Sequence, residues 1–193
     1  MAGNGGMSKG ARMTIVDTQG TRQKGFSLLE LLITIGIAGI LLGLAVPSFS
    51  TFLDDSKVSS VTNNLVYALQ TARSESIKRS SAVVLCPSTN ATTTNPTCNG
   101  GYGDGWVVFA DDDASGARNG TEEIILQVES QPGGFSFIPD AAFANRVFFG
   151  DTGSSTNSTG VPLSGQIQIS FAGSSEVRNV LIAANGRISS ETP

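Results

Sequence analysis

The sequence predicts an α+β protein, a long N-terminal α-helix packed on a C-terminal antiparallel β domain. Three observations lead there. Residues 26–46 contain a single charged group in 21 positions. Apolar residues then recur at a helical period as far as Ala72, and from Ser81 onward short β-type runs alternate with turn residues. The expected organisation is a leader over 1–25, a helix over 26–80 (membrane-spanning over about 26–46, amphipathic over about 48–80) and a β-rich domain over 81–193.

The leader carries Lys9, Arg12, Arg22 and Lys24 against Asp17, a basic flank of the kind retained on the cytoplasmic side of a membrane. Its true start is open between Met1, Met7 and Met13. A secretory signal peptide has its cleavage site after the apolar core; here the candidate site, Gly25-Phe26, precedes it. As a helix the 26–46 run spans about 31 Å, close to the hydrocarbon thickness of a bilayer. Glu30 lies inside it, where a carboxylate costs roughly 3 kcal/mol and marks function by default. A cut before Phe26 makes the residue intelligible, because the new α-amino group is then a cation close to Glu30. Gly39 and Gly43 form a GxxxG, either a close-packing face or ordinary membrane-helix composition.

Pro47 follows, removing one backbone hydrogen bond and kinking or locally melting the helix. The pattern then resumes: Val58, Val61, Leu65, Ala68 and Ala72 form one face, and Glu75 to Arg79 is a favourably oriented i,i+4 ion pair. The helix is therefore apolar all round in its first half and one-sided in its second.

Strands are expected at 82–85, 106–110, 123–128, 135–138, 146–149, 166–171 and 176–183, with a short last one at 187–189. Gln166 to Phe171 alternates as a sheet with one wet face does, and Gly173-Ser174 turns it into the next strand as a hairpin. Residues 87–105 and 150–165 read as polar loops.

Composition excludes several functions. There is no histidine and there are only two cysteines, so neither a His-based catalytic site nor a zinc centre is expected, and no enzyme and no cofactor are expected. Cys86 and Cys98 are the only cysteines. Beyond a hydrophobic segment they most simply form one disulfide, adding roughly 3 kcal/mol by the chain-entropy argument; two free thiols in a cytosolic protein is the competing reading. Asp104, Asp111, Asp112, Asp113, Glu122 and Glu123 offer oxygen ligands for calcium, but their spacing is not an EF-hand. The expectation is no metal and a solvated turn before a strand. Removing the leader takes away four of 12 basic residues and one of 16 acidic ones, leaving a formal −7 on the side chains. Such a domain is a poor generic binder of nucleic acid.

Gly25-Phe26-Ser27-Leu28-Leu29-Glu30-Leu31-Leu32, with Pro47 closing the apolar run, resembles the class III signal of type IV pilins and type II secretion pseudopilins. The resemblance implies that a prepilin peptidase cuts between Gly25 and Phe26 and methylates Phe26, and that Glu30 is the assembly glutamate. In that reading Glu30 would attract the N-terminal amine of an adjacent subunit in a low-dielectric setting. Ala72-Arg73-Ser74-Glu75, the strand Gly105-Trp106-Val107-Val108-Phe109-Ala110-Asp111 and the end Ala184-Asn185-Gly186-Arg187-Ile188 are similar to the FimT/FimU/GspH group. The implied fold is the GspH-like pilin fold. The implied function is a minor type IV pilin that primes assembly at or near the pilus tip, supporting twitching, adhesion or DNA uptake. It would lie in the inner membrane with a periplasmic domain, with other minor and major pilins as partners.

Two alternatives accompany this. One is a GspH-like minor pseudopilin of a type II secretion system. The other is a DNA-binding competence pilin using Arg187 and Arg178, although the second arginine of the Gly-Arg-x-Arg element of some FimT-like proteins is replaced here by Ser189.

Overall fold

The computed structural model describes residues 25–193, and the side chains of residues 44–48 also lie outside the description. The leader up to Lys24, the three candidate starts and the side chain of Pro47 are therefore not among the described groups. Two units are distinguished, the first ending at Gly43 and the second covering Leu44–Pro193.

The single long helix is α1, Leu28–Arg79, which continues past Pro47. It starts two residues later than expected because Ser27 caps it: the Ser27 hydroxyl oxygen accepts the Glu30 backbone N–H at 3.2 Å. The apolar stripe predicted for its second half is present. Val58, Leu65, Ala68 and Ala72 are fully buried, Val61 nearly so, and Leu69 joins them.

Among the described residues nine strands follow: β1 (Val83–Pro87), β2 (Trp106–Ala110), β3 (Ile124–Val128), β4 (Phe135–Pro139), β5 (Val147–Phe149), β6 (Ser155–Thr156), β7 (Gly165–Phe171), β8 (Val177–Ile182) and β9 (Ile188–Glu191). They form two antiparallel sheets, of order β3-β2-β1-β5-β6 and β4-β7-β8-β9. The hairpin expected at Gly173-Ser174 joins β7 to β8, with Ile167 opposite Val180. Every strand read from the sequence is present with its ends moved by a residue or two. The exception is β6, which falls inside the stretch expected to be loop. Ser155-Thr156 has no apolar alternation to announce it, and it exists by pairing with Phe148 and Phe149.

The first sheet separates two apolar clusters by its two-residue side-chain period. Val83, Leu85, Trp106, Val108, Val147 and Phe149 meet the α1 stripe together with Ile167, Ile169, Val180 and Ile182 of the second sheet. Val84, Cys86, Val107, Phe109 and Phe148 point to the opposite face, where Cys98 and Ile124 pack on them. The Cys86–Cys98 disulfide is formed. It holds the 87–105 loop over that second face, which is why β1 and β2 are buried on both sides.

Candidate functional site

The N-terminal site is built on the first turn of α1. Ser27-Leu28-Leu29-Glu30 has the S-x-x-E spacing of a capping box, with Glu30 at the third helical position, where a negative charge complements the helix dipole. Glu30 is exposed. Sequence reasoning gave this carboxylate an assembly role and overlooked its local one, although the spacing was there to be read. Around it every large apolar residue from Phe26 to Leu42 is exposed, from 52% at Leu31 and Ile37 to 78% at Leu28. A Cβ added at Gly36, Gly39 or Gly43 would meet nothing within 4 Å.

So continuous an apolar surface marks a membrane or partner site. Among the described residues no helix is long and apolar enough to cross a membrane. The described stretch from Leu28 to Gly43 is about 24 Å long. In the sequence the apolar run continues to Val46.

The two arginines proposed for DNA do not converge. Arg178 lies in β8 opposite Ile169 and is engaged by Glu176 through both Nε and Nη2. Arg187 is exposed in the β8–β9 turn, just before the Ile182–Ile188 pair. The two are thus separated along the hairpin by about 17 Å at roughly 3.4 Å per residue. Arg187 lines a groove of about 450 Å³ that also contains Asp140. Arg178 is paired with Glu176 and lies several positions along the strand from Arg187, so these two arginines do not form one basic patch.

The six acidic residues of the expected solvated turn have separate fates. Asp104 caps Gly101 N–H at 2.9 Å. Glu123 takes a two-pronged contact from Arg79, at 2.7 and 2.9 Å. Asp112 and Asp113 are exposed, as expected. Asp111 and Glu122 are not: they are buried, with carboxylate oxygens of Asp111, Asp113 and Glu122 within 4.8 Å of one another. Burial pushes the Asp111 carboxyl up to about 6; the Gly116 N–H opposes that rise, while Asp113 and Glu122 add to it. Spacing alone did not reveal that a carboxylate at the end of β2 would turn inward.

The profile of the family described as type II transport protein GspH matches residues 61–186. The chain belongs to the GspH family. Ahead of that match, residues 20–46 fit the prokaryotic N-terminal methylation motif. Two crystal structures of the type IV minor pilin FimU from Pseudomonas aeruginosa (strain PAO1) are similar. One has 18% identity over 70% of this chain and 96% of FimU, with a TM-score of 0.48; the other has 16% identity over 74% and 96%, with a TM-score of 0.49. No curated protein matches.

Within this GspH-family chain the matched region begins at the α1 stripe and ends at a clasp that sequence reasoning missed. Arg73 of α1 donates from Nε to the Gly153 carbonyl (3.2 Å) and from Nη2 to the Asn185 carbonyl (3.1 Å). Gly186 has φ +76°, and a Cβ there would lie 1.8 Å from the Gly153 oxygen and 2.9 Å from Arg73 Nε. Two motifs noted separately, Ala72-Arg73 and Asn185-Gly186, are therefore two sides of one contact. Trp106, from the third motif, is fully buried and lies edge-on to Phe137 at 6.4 Å, which makes it core.

Proposed function

We propose that this GspH-family protein is a minor type IV pilin. A prepilin peptidase cuts it between Gly25 and Phe26, with residues 1–25 as the leader, and Phe26 is methylated. The 26–46 run holds it in the inner membrane, residues 48–80 extend the helix with Pro47 at the junction, and residues 81–193 form the periplasmic domain. Together with other minor and major pilins it primes assembly at or near the pilus tip. The supporting observation is the exposed apolar run with one carboxylate, Glu30, five residues behind Gly25. Once the chain is cut, the amine of Phe26 in an incoming subunit is the opposite charge that a desolvated Glu30 requires.

Replacing Glu30 by Ala or Leu is expected to leave cleavage and membrane insertion intact. Incorporation into filaments should fall roughly tenfold or more, the effect of losing an ion pair worth at least about 1.4 kcal/mol. N-terminal sequencing and sheared-filament immunoblots read the two results. Wild-type incorporation in both variants would remove the role of Glu30.

A second reading, a minor pseudopilin of a type II secretion system, is favoured by the description of the matching family. Deleting the gene separates the two. Lost twitching with intact exoprotein secretion supports the pilus, and the reverse supports the secretion system.

A further inference from the structure

The connection between β2 and β3 brings together three carboxylates to which the proposed function gives no role. Asp111 ends up at the close of β2, Asp113 in the loop and Glu122 just before β3. Asp111 accepts backbone N–H groups from Ser115 (3.1 Å) and Gly116 (2.9 Å), and Asp113 accepts from Ser115 (2.9 Å) and from the Asn119 amide (3.1 Å). Glu122 accepts the Asn119 N–H at 2.9 Å through Oε2. Its other oxygen, Oε1, is buried with no hydrogen-bond partner, on a residue only 5% exposed.

A buried carboxylate oxygen without a donor is costly, and costlier when it is charged. Among the described residues no lysine or arginine forms an ion pair with Asp111, Asp113 or Glu122. The nearby Arg118 donates from Nη1 to Asn95 and the Pro96 carbonyl and from Nη2 to the Glu122 carbonyl, while its Nε is itself buried with no hydrogen-bond partner. Arg146 donates to the Gly116 carbonyl.

We propose that Asp111, Asp113 and Glu122 form a calcium site that fastens the β2–β3 connection. Three oxygens within 4.8 Å of one another fit on a sphere of calcium–oxygen radius 2.3–2.6 Å. A divalent cation there neutralises two of three negative charges and gives Glu122 Oε1 its missing partner. The donor set contains only hard oxygens, in a chain without histidine and with both cysteines in a disulfide, which disfavours zinc and other soft-ligand metals. Calcium accepts several protein oxygens in irregular geometry, whereas magnesium demands near-ideal octahedral geometry and retains most of its water. The ion joins the end of one strand, the loop and the start of the next, so binding orders residues 111–122. This site stands independently of the assembly role.

The test uses the full chain in detergent, stripped with EDTA, titrated with calcium chloride by calorimetry and followed by thermal unfolding. The expected result is saturable binding of one ion per chain with Kd between about 10⁻⁴ and 10⁻³ M, the range of extracellular modules, and a Tm that rises with calcium. Asp113→Asn alters an exposed carboxylate. It should keep the EDTA-state Tm while weakening calcium binding at least tenfold, and Glu122→Gln should abolish the calcium response. No saturable binding up to millimolar calcium overturns the site. So does wild-type affinity in Asp113→Asn, or an equal Tm rise with magnesium at the same concentration.

Discussion

The two halves of α1 are both apolar in sequence, and they solve the problem of that surface in opposite ways. From Leu28 to Leu42 large side chains are exposed on every side. From Val58 to Ala72 a single stripe is buried, against the inner faces of both sheets, while Asn64, Tyr67 and Ser74 remain outside. The difference is one of period. A run with no polar face cannot be covered by one domain, whereas a stripe recurring every three or four residues can. The first half therefore looks outward for bilayer or partner helices, and the second half is part of the core of its own chain.

The sharpest way to break this contrast is to shorten one leucine in each half. Leu65→Ala is expected to destabilise the folded domain by about 2–5 kcal/mol, because it leaves a cavity in the fully buried stripe. Leu41→Ala, at an exposed position, should leave unfolding within about 0.5 kcal/mol of wild type. It should instead weaken membrane partitioning by about 2 kcal/mol, at roughly 0.8 kcal/mol per carbon removed. Urea titration and liposome flotation read the two. Equal effects of both substitutions on unfolding would end the distinction between the halves.

A smaller effect tests how the second half is fastened at its far end. Gly186→Ala forces a methyl against the Gly153 carbonyl at a positive φ, so the clasp with Arg73 must open. A loss of about 1–3 kcal/mol in urea unfolding is expected, the cost of strain with a displaced backbone. Arg73→Ala in the same background should add little, since the two residues share one contact.

The smallest effect is electrostatic. Lys78 and Arg79 hold the Glu75 carboxyl below its ordinary 4.5, and Arg79 does the same for Glu123. A folded-state value below the unfolded one contributes stability that is fully present above about pH 4.5 and is lost as pH falls further. Arg79→Gln should lower Tm slightly at pH 7 and low salt, and its difference from wild type should shrink as pH falls below the ordinary 4.5 of both carboxyls, or at high salt. A difference that persists at both extremes would assign the Arg79 effect to packing.

What was legible in the sequence is what repeats locally. The α1 stripe, the hairpin at Gly173-Ser174 and the Glu75–Arg79 pair each depend on residues within a few positions of one another, and each is present. The Glu123 partner of Arg79 lies 44 residues away, and the Gly153 carbonyl that holds Arg73 lies 80 away, so no local period announces either. β6 escaped because Ser155-Thr156 owes its form to β5 and not to its own side chains. The acidic turn was misjudged for a related reason. Charge suggests solvent, but Asp111 lies at the end of a strand buried throughout, and the chain path takes its carboxylate inward.

The loop tethered by Cys86–Cys98 introduces a clock into the first sheet. Its inner face is covered by α1 and the second sheet through collapse, which takes microseconds to fractions of a millisecond in chains of this size. Its outer face depends on a loop held by a bond that forms over seconds to hours and only under oxidising conditions. Until that bond forms, the cover over Val84, Val107 and Phe109 rests on the loop's hydrogen bonds alone, among them Asn99 N–H to the Pro87 carbonyl. The two faces of the sheet thus close by different chemistry, one by burial alone and the other by burial together with an oxidation.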